Sequence, residues 1–254
     1  MTGSANDLPA GHPPHTVAIR CSILIPARDE EAALPGCLGS IAAATCQLHH
    51  PVEVIVAVNR CTDRTEDVAL AAGARVVRDD SRNLAAIRNA AARAATGHVV
   101  VTIDADSRMS VGMLSKIDEL ERTGRYIGGG TRVRPQRWSA GIMLTGAVLG
   151  LVLAYRRVSG AVLWCRRSDF WAIGGFDENL ASGEDLDFAV RLKTFGGTRN
   201  QRFATVLSEH AVTSTRKFDD FGDWYLLRNP RLVRQILQGR TQAAADRFYY
   251  DVPR

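Results

Sequence analysis

The chain has 254 residues, 46% hydrophobic and 23% charged, which suits a globular protein with a sizeable core and excludes wholesale disorder. Its net charge of +5 favours anionic partners, such as nucleotide phosphates or an anionic membrane surface. Five scattered cysteines without a CxxC exclude a disulfide framework and a zinc site, and fit a reduced, cytoplasmic compartment.

Residues 1–16 (MTGSANDLPAGHPPHT) lack the basic start and apolar run of a signal peptide and read as a flexible leader. Three apolar runs follow: Cys21–Pro26, Val52–Val58 and His98–Ile103. They are continuous rather than alternating, the pattern of strands buried on both faces of a parallel sheet. Helical segments lie between them. Leu34, Leu38 and Ile41 recur at helical spacing, and Asn83–Thr96 is alanine-rich and free of breakers. Alternating strands and helices predict an α/β, Rossmann-like, doubly wound and mainly parallel sheet with helices on both faces. Ligands of such sheets bind beyond the carboxyl ends of the strands, so the residues after each run carry the information.

Further along, Tyr126–Arg134 and Ala161–Cys165 read as strands, and Gly183-Glu184-Asp185 opens a helix that stops at Gly196-Gly197. From Phe218 onward the tail is aromatic, basic and helical in pattern. Residues 17–254 read as one domain. Ala140–Tyr155 is apolar but shorter than the roughly 20 residues a spanning helix needs. Its readings are a buried core helix, a peripheral contact with membrane or lipid acceptor, and a dimer interface; the oligomeric state stays open.

The sharpest chemical signal is Asp104-Ala105-Asp106, two carboxylates at the end of a buried run. Hard cations such as Mg²⁺ or Mn²⁺ share oxygen ligands between carboxylates and substrate phosphates, and can neutralise a leaving diphosphate. A plain aspartate-rich turn is the competing reading. Around this pair stand Pro26-Ala27-Arg28-Asp29-Glu30-Glu31, then Asn59-Arg60-Cys61-Thr62-Asp63-Arg64-Thr65, then Arg88-Asn89. Downstream come Gly174-Gly175-Phe176-Asp177-Glu178 and Glu184-Asp185. In order and spacing this series, over roughly Cys21 to Leu192, resembles the family 2 glycosyltransferases, whose fold is GT-A.

The resemblance implies transfer of a sugar from a nucleotide donor, such as a UDP- or GDP-sugar, to a small-molecule, glycan or lipid-linked acceptor. Residues 17–110 would form the nucleotide-sugar half and 111–254 the acceptor half and tail. Pro26, Ala27, Arg28, Glu30, Asn59 and Asp63 would line the nucleoside pocket, and Arg88 would lie near the donor phosphates. Asp104 would contact ribose or metal, and Asp106 would hold the metal, with His210 completing its shell. Arg216, in Ser214-Thr215-Arg216-Lys217, would clamp the diphosphate. Glu184 and Asp185 would face the acceptor, Asp185 as the base of an inverting transfer. Simpler roles compete: Asp63 with Glu66 resembles a capping box, Arg88 a solvated helix residue, and Glu184-Asp185 an acidic helix start.

Three positions depart from the family pattern. Val58 replaces an acidic residue, Asp29 stands for asparagine and Arg60 for glycine, which leaves the nucleotide open. Gly128-Gly129-Gly130-Thr131-Arg132 resembles the loop of a sugar nucleotidyltransferase, but it follows the Asp pair instead of the first strand. A silent nucleotide-sugar binder is the other alternative. Dispersed basic charge without a recognised motif argues against nucleic acid.

Overall fold

The structure is a computed structural model that describes residues 20–239. The expected leader therefore lies outside the described residues, as does the tail beyond Gly239. The chain begins β1 (Cys21–Ala27), α1 (Leu34–Thr45), β2 (Val52–Val58), α2 (Thr65–Ala71), β3 (Arg75–Arg78), α3 (Leu84–Ala94) and β4 (Val99–Thr102). There follow β5 (Ser107–Met109), α4 (Met113–Arg122), β6 (Tyr126–Pro135), α5 (Ala140–Arg156), β7 (Leu163–Arg166), α6 (Arg167–Ala172) and α7 (Glu184–Gly197). The described part closes with β8 (Arg202–Thr213), α8 (Arg216–Phe221), α9 (Tyr225–Arg228) and α10 (Pro230–Gln238).

The eight strands of the described residues join one sheet in the order β3-β2-β1-β4-β7-β6-β8-β5. β1 pairs in parallel with β2 and β4, and β2 with β3. The sheet is mainly parallel, but β7 runs antiparallel between β4 and β6, and β5 runs antiparallel to β8. Strand direction first reverses at β7, after the parallel run β3-β2-β1-β4.

Every residue of β1 and β4 is buried, as continuous apolar runs require. Side-chain alternation divides the core in two. Ile23 and Ile25 of β1 pack with Leu34 and Ile41 of α1 and with Met113 and Ile117 of α4. Leu24 packs on the opposite face with Ile87 of α3, Phe170 of α6 and Phe188 of α7. Helices thus cover both faces. On the second face Phe176 stacks on Phe188 at 4.5 Å, and Phe170 meets Phe188 at 5.3 Å.

Two local features explain the chain path. Asn83 caps α3, its Oδ1 accepting from the Ala86 N–H at 3.0 Å, and its Nδ2 donates to the Glu178 and Leu180 carbonyls. Gly128, Gly129 and Gly130 form the buried centre of β6, where any Cβ would collide with the carbonyl oxygens of Trp164, Ala204 and Ser159. That run is a packing seam between strands, which removes its resemblance to a nucleotide loop.

The core-helix reading of Ala140–Tyr155 is overturned. These residues do form a helix, α5, capped by Ser139 and ended by Arg157 in the left-handed conformation (φ 54°). Yet Gly141, Ile142 and Thr145 are its only buried residues, whereas Leu151 is 71% and Tyr155 86% exposed. The helix is anchored at its first turn, with Leu153 against the core near its far end, and is not laid along the sheet.

Candidate active site

Residues at and beyond the ends of three parallel strands form one wall of an open cleft of about 120 Å³. Pro26, Ala27, Arg28 and Glu30 come from β1, Asn59 from β2, and Asp104, Ala105 and Asp106 from β4. Facing them are Leu84 and Ile87 of α3, Ala181, Glu184 of α7, and Arg216 and Lys217 of α8. Its place is the strand-end crevice expected of the topology.

The loops after β1 and β2 brace each other. Asp29 Oδ1 accepts from the Thr62 N–H at 2.6 Å, and Asp63 accepts from the N–H groups of Glu31 and Thr65, both at 2.9 Å. Asp29 and Arg60 hold φ of 49° and 48°. They are two of the positions that depart from the family pattern, and their left-handed backbone is what asparagine or glycine would adopt with less strain. Asp63 is a brace between loops and not a wall of the cleft. Nor does it complete a capping box, because Glu66 pairs with Arg78 instead. Asn59 is buried at the cleft wall, with its Nδ2 donating to the carbonyls of Asp79 and Ser81.

Beneath the cleft lies Arg88, only 3% exposed. One guanidinium nitrogen donates to Asp104 Oδ1 at 2.7 Å and lies 3.8 Å from Glu184, and another bonds the Asp185 carboxylate. Its planar fork lets one cation bind two carboxylates at once. The guanidinium also sits 5.4 Å from the Phe176 ring centre. Arg88 is therefore neither a solvated helix residue nor part of the cleft wall. Beside it Asn89 locks the glycine turn: its Oδ1 accepts from the Phe176 N–H, and its Nδ2 donates to Phe176 O and Glu178 Oε1, each at 2.9 Å. Gly183, at φ 71°, then turns the chain into α7 so that Glu184 and Asp185 meet Arg88.

The cleft is acidic at its floor and basic at its rim. Arg216 bonds Glu30 and lies 3.5 Å from Asp106. Burial raises the Asp106 carboxyl to about 6, with Asp104 adding to the rise and Arg216 opposing it. Burial likewise raises the Asp185 carboxyl, against the pull of Arg88 and with the push of Glu184 and Asp104. Asp104, on the cleft wall, and Asp185, beside Glu184 but outside the wall, nevertheless keep 49% and 37% of their side chains exposed.

Asp104 and Asp106 bring two carboxylates to the cleft wall, the oxygen-donor type that an ion such as Mg²⁺ or Mn²⁺ would take. His210 does not join them. It sits on β8, where its N–H donates to Ser110 Oγ at 3.1 Å, and it is absent from the cleft wall. The metal-shell expectation for His210 is corrected accordingly. Among the described residues the one trio of converging metal-type ligands is Asp29, Cys61 and Asp63, whose carboxylates already accept the loop hydrogen bonds. Leu84, Ile87 and Ala181 line the cleft without having been singled out. Leu84 follows the Asn83 cap at a strand-end crevice, a signal that sequence reading could have used.

Residues 22–145 match the family described as glycosyl transferase family 2. Uncharacterized glycosyltransferases of Mycobacterium tuberculosis and Mycobacterium bovis are 32% identical over 112 residues, 44% of this chain and 48% of theirs. The chain thus spans about half the length of the curated relatives it matches. Among solved structures, the Pyrobaculum calidifontis mannosyltransferase PcManGT with GDP-Man and Mn²⁺ superposes with a TM-score of 0.65 at 20% identity, covering 89% of this chain and 64% of that one. Staphylococcus aureus TarS 1-349 with UDP-GlcNAc gives 0.61 at 16% identity, covering 91% and 70%. Glucosyl-3-phosphoglycerate synthase of M. tuberculosis with Mn²⁺, UDP and glucosyl-3-phosphoglycerate gives 0.60 at 21%, covering 87% and 80%. The fold is that of the GT-A enzymes.

Proposed function

We propose that this chain, whose residues 22–145 match glycosyl transferase family 2, transfers a sugar from a nucleotide donor to an acceptor hydroxyl with inversion. The observation that carries the reading is the Arg88 fork, which ties Asp104 on the donor side to Asp185 on the acceptor side through one buried guanidinium. The two carboxylates are thereby held in one fixed arrangement, which supports a site that orients donor and acceptor for attack.

The nucleoside of a UDP- or GDP-sugar lies along Pro26, Ala27, Arg28 and Asn59. Its diphosphate faces Arg216 and Lys217, and Arg216 exchanges its contacts with Glu30 and Asp106 for phosphate oxygens. Asp106 and Asp104 would hold Mg²⁺ or Mn²⁺, which when bound offsets negative charge on the diphosphate. Asp185 takes the proton of the acceptor hydroxyl as its oxygen forms a bond to the anomeric carbon. The bond from that carbon to the diphosphate breaks, and the nucleoside diphosphate leaves with the electron pair. Glu184, at the cleft wall and 3.8 Å from Arg88, keeps the cation in place. The acceptor is a small molecule, a glycan or a lipid-linked hydroxyl.

The test is a screen of UDP- and GDP-sugars by thermal shift with Mg²⁺ or Mn²⁺, followed by NMR of the product. A ligand at 100 times its Kd stabilises by about 2.7 kcal/mol. Product of inverted anomeric configuration supports the single displacement, and retained configuration overturns it.

A further inference from the structure

The least explained surface of the molecule is α5. Met143, Leu144, Val148, Leu151 and Tyr155 are 40–86% exposed along it, and Trp138 just before it is 61% exposed. At 17 residues and 1.5 Å per residue the helix is about 25 Å long. No helix among the described residues is long and apolar enough to cross a membrane.

Charge identifies the partner. Between Arg132 and Arg157 the sequence holds five arginines and no acidic residue. Arg132, Arg134, Arg156 and Arg157 are exposed and form no ion pair among the described residues. The acidic side chains that reach this end of the helix, Asp219 and Asp223, are both tied to Arg137 at 2.6 and 2.7 Å. Aromatic residues and arginines therefore bracket the apolar stretch of α5, with Trp138 and the exposed Arg132 and Arg134 before it and Tyr155, Arg156 and Arg157 at its C-terminal end. Tryptophan, tyrosine and arginine at the ends of an apolar segment are the anchors of the membrane–water interface. A second copy of the chain suits the face less well. A two-fold contact along α5 would bring arginines toward arginines with no carboxylate on the face to receive them.

We infer that α5 docks the protein peripherally on an anionic lipid surface, with its apolar face in the interface and its flanking arginines on the headgroups. The docking does not depend on the proposed reaction, but the two are adjacent in the fold. Gly141 of α5 packs on Asp223, Arg137 pairs with Asp219 of α8, and α8 begins with Arg216 of the cleft.

Co-sedimentation of the full chain with vesicles of phosphatidylcholine containing 30% phosphatidylglycerol tests the inference, with pure phosphatidylcholine as the comparison. Binding is expected to the anionic vesicles, with a blue shift of tryptophan emission that Trp138→Phe diminishes. It should fall as salt rises. Each basic residue near an anionic surface strengthens binding by roughly fivefold, so Arg156→Ala with Arg157→Ala should weaken it by roughly 25-fold. Leu151→Glu with Tyr155→Glu should abolish it while leaving circular dichroism and melting temperature intact. Equal binding to neutral and anionic vesicles, or no binding to either, overturns the inference. So does a dimer in light scattering that Leu151→Glu dissociates.

Discussion

Replacing Arg88 by methionine removes the cation and fork but keeps most of the side-chain volume, so the experiment isolates charge from packing. Losing one partner of a fully buried ion pair costs about 3–5 kcal/mol. Here the cost is lower, because Asp104 and Asp185 are more than one-third exposed and water screens them once Arg88 is gone. Glu184, with 8% of its side chain exposed, bears most of the loss. A destabilisation of about 2–3 kcal/mol follows, read as a shift of the urea midpoint with an unchanged m-value. Arg88→Lys keeps the charge without the planar fork and should recover stability better than turnover. A double-mutant cycle with Asp185→Asn should give a coupling of about 0.5–3 kcal/mol in stability. If Arg88→Met matches the parent in both stability and turnover, with no coupling to Asp185, Arg88 does not join the two halves of the site.

Four further outcomes are expected. Asp106→Ala should abolish metal-dependent donor turnover with the fold intact by circular dichroism; full activity of the parent chain in excess EDTA would count against a metal. Asp185→Asn should lower kcat by about 10²–10⁴-fold with donor affinity nearly unchanged, and a parallel loss of donor binding would make Asp185 a pocket wall only. Because burial raises its carboxyl and the base acts deprotonated, parent kcat should fall with decreasing pH from a point above the usual carboxylate range. Glu121 tests the scaffold alone: it is 5% exposed and meets Arg20, Arg166 at 2.8 Å and His98 at 3.3 Å. Burial pushes its carboxyl up, yet Arg166 and Arg20 outweigh that and hold it below the usual value. Its stabilisation is therefore present above the unfolded pKa of about 4.3 and fades as pH falls through the folded one. Glu121→Gln should cost about 2–4 kcal/mol at neutral pH, with the gap to the parent closing in acid, and a pH-independent gap would refute the assignment.

What could be read in advance follows from burial. β1, β2 and β4 stand in or near the middle of the sheet, so their apolar runs announced them and the residues at their ends marked the cleft. β3 escaped notice because it is a four-residue edge strand that begins and ends in exposed arginine. β5 has three residues and exists by pairing with β8, more than one hundred positions away. Single side chains were harder to place than elements. Arg88 is expected near the donor phosphates by resemblance, but a helical stretch of alanines does not reveal that three carboxylates gather over it. His210 looked like a ligand because its distance from Asp106 is set by the register of β8, which local sequence does not encode. The exposure of α5 was hidden for the opposite reason: an uncharged run reads as core whichever way it faces.

Asn89 and Gly175 have a consequence for anyone recombining this chain with its relatives. A Cβ at residue 175 would stand 2.7 Å from Asn89 Oδ1, an atom already committed to the Phe176 N–H. The helix that carries Asn89 and the turn that carries Gly175 lie on opposite sides of any crossover made near the middle of the chain. A chimera that takes one from each parent inherits a lock without its key, unless both parents carry the same pair. Breakpoints that leave residues 83–89 and 174–185 from a single parent should therefore give folded, active hybrids more often than breakpoints that part them.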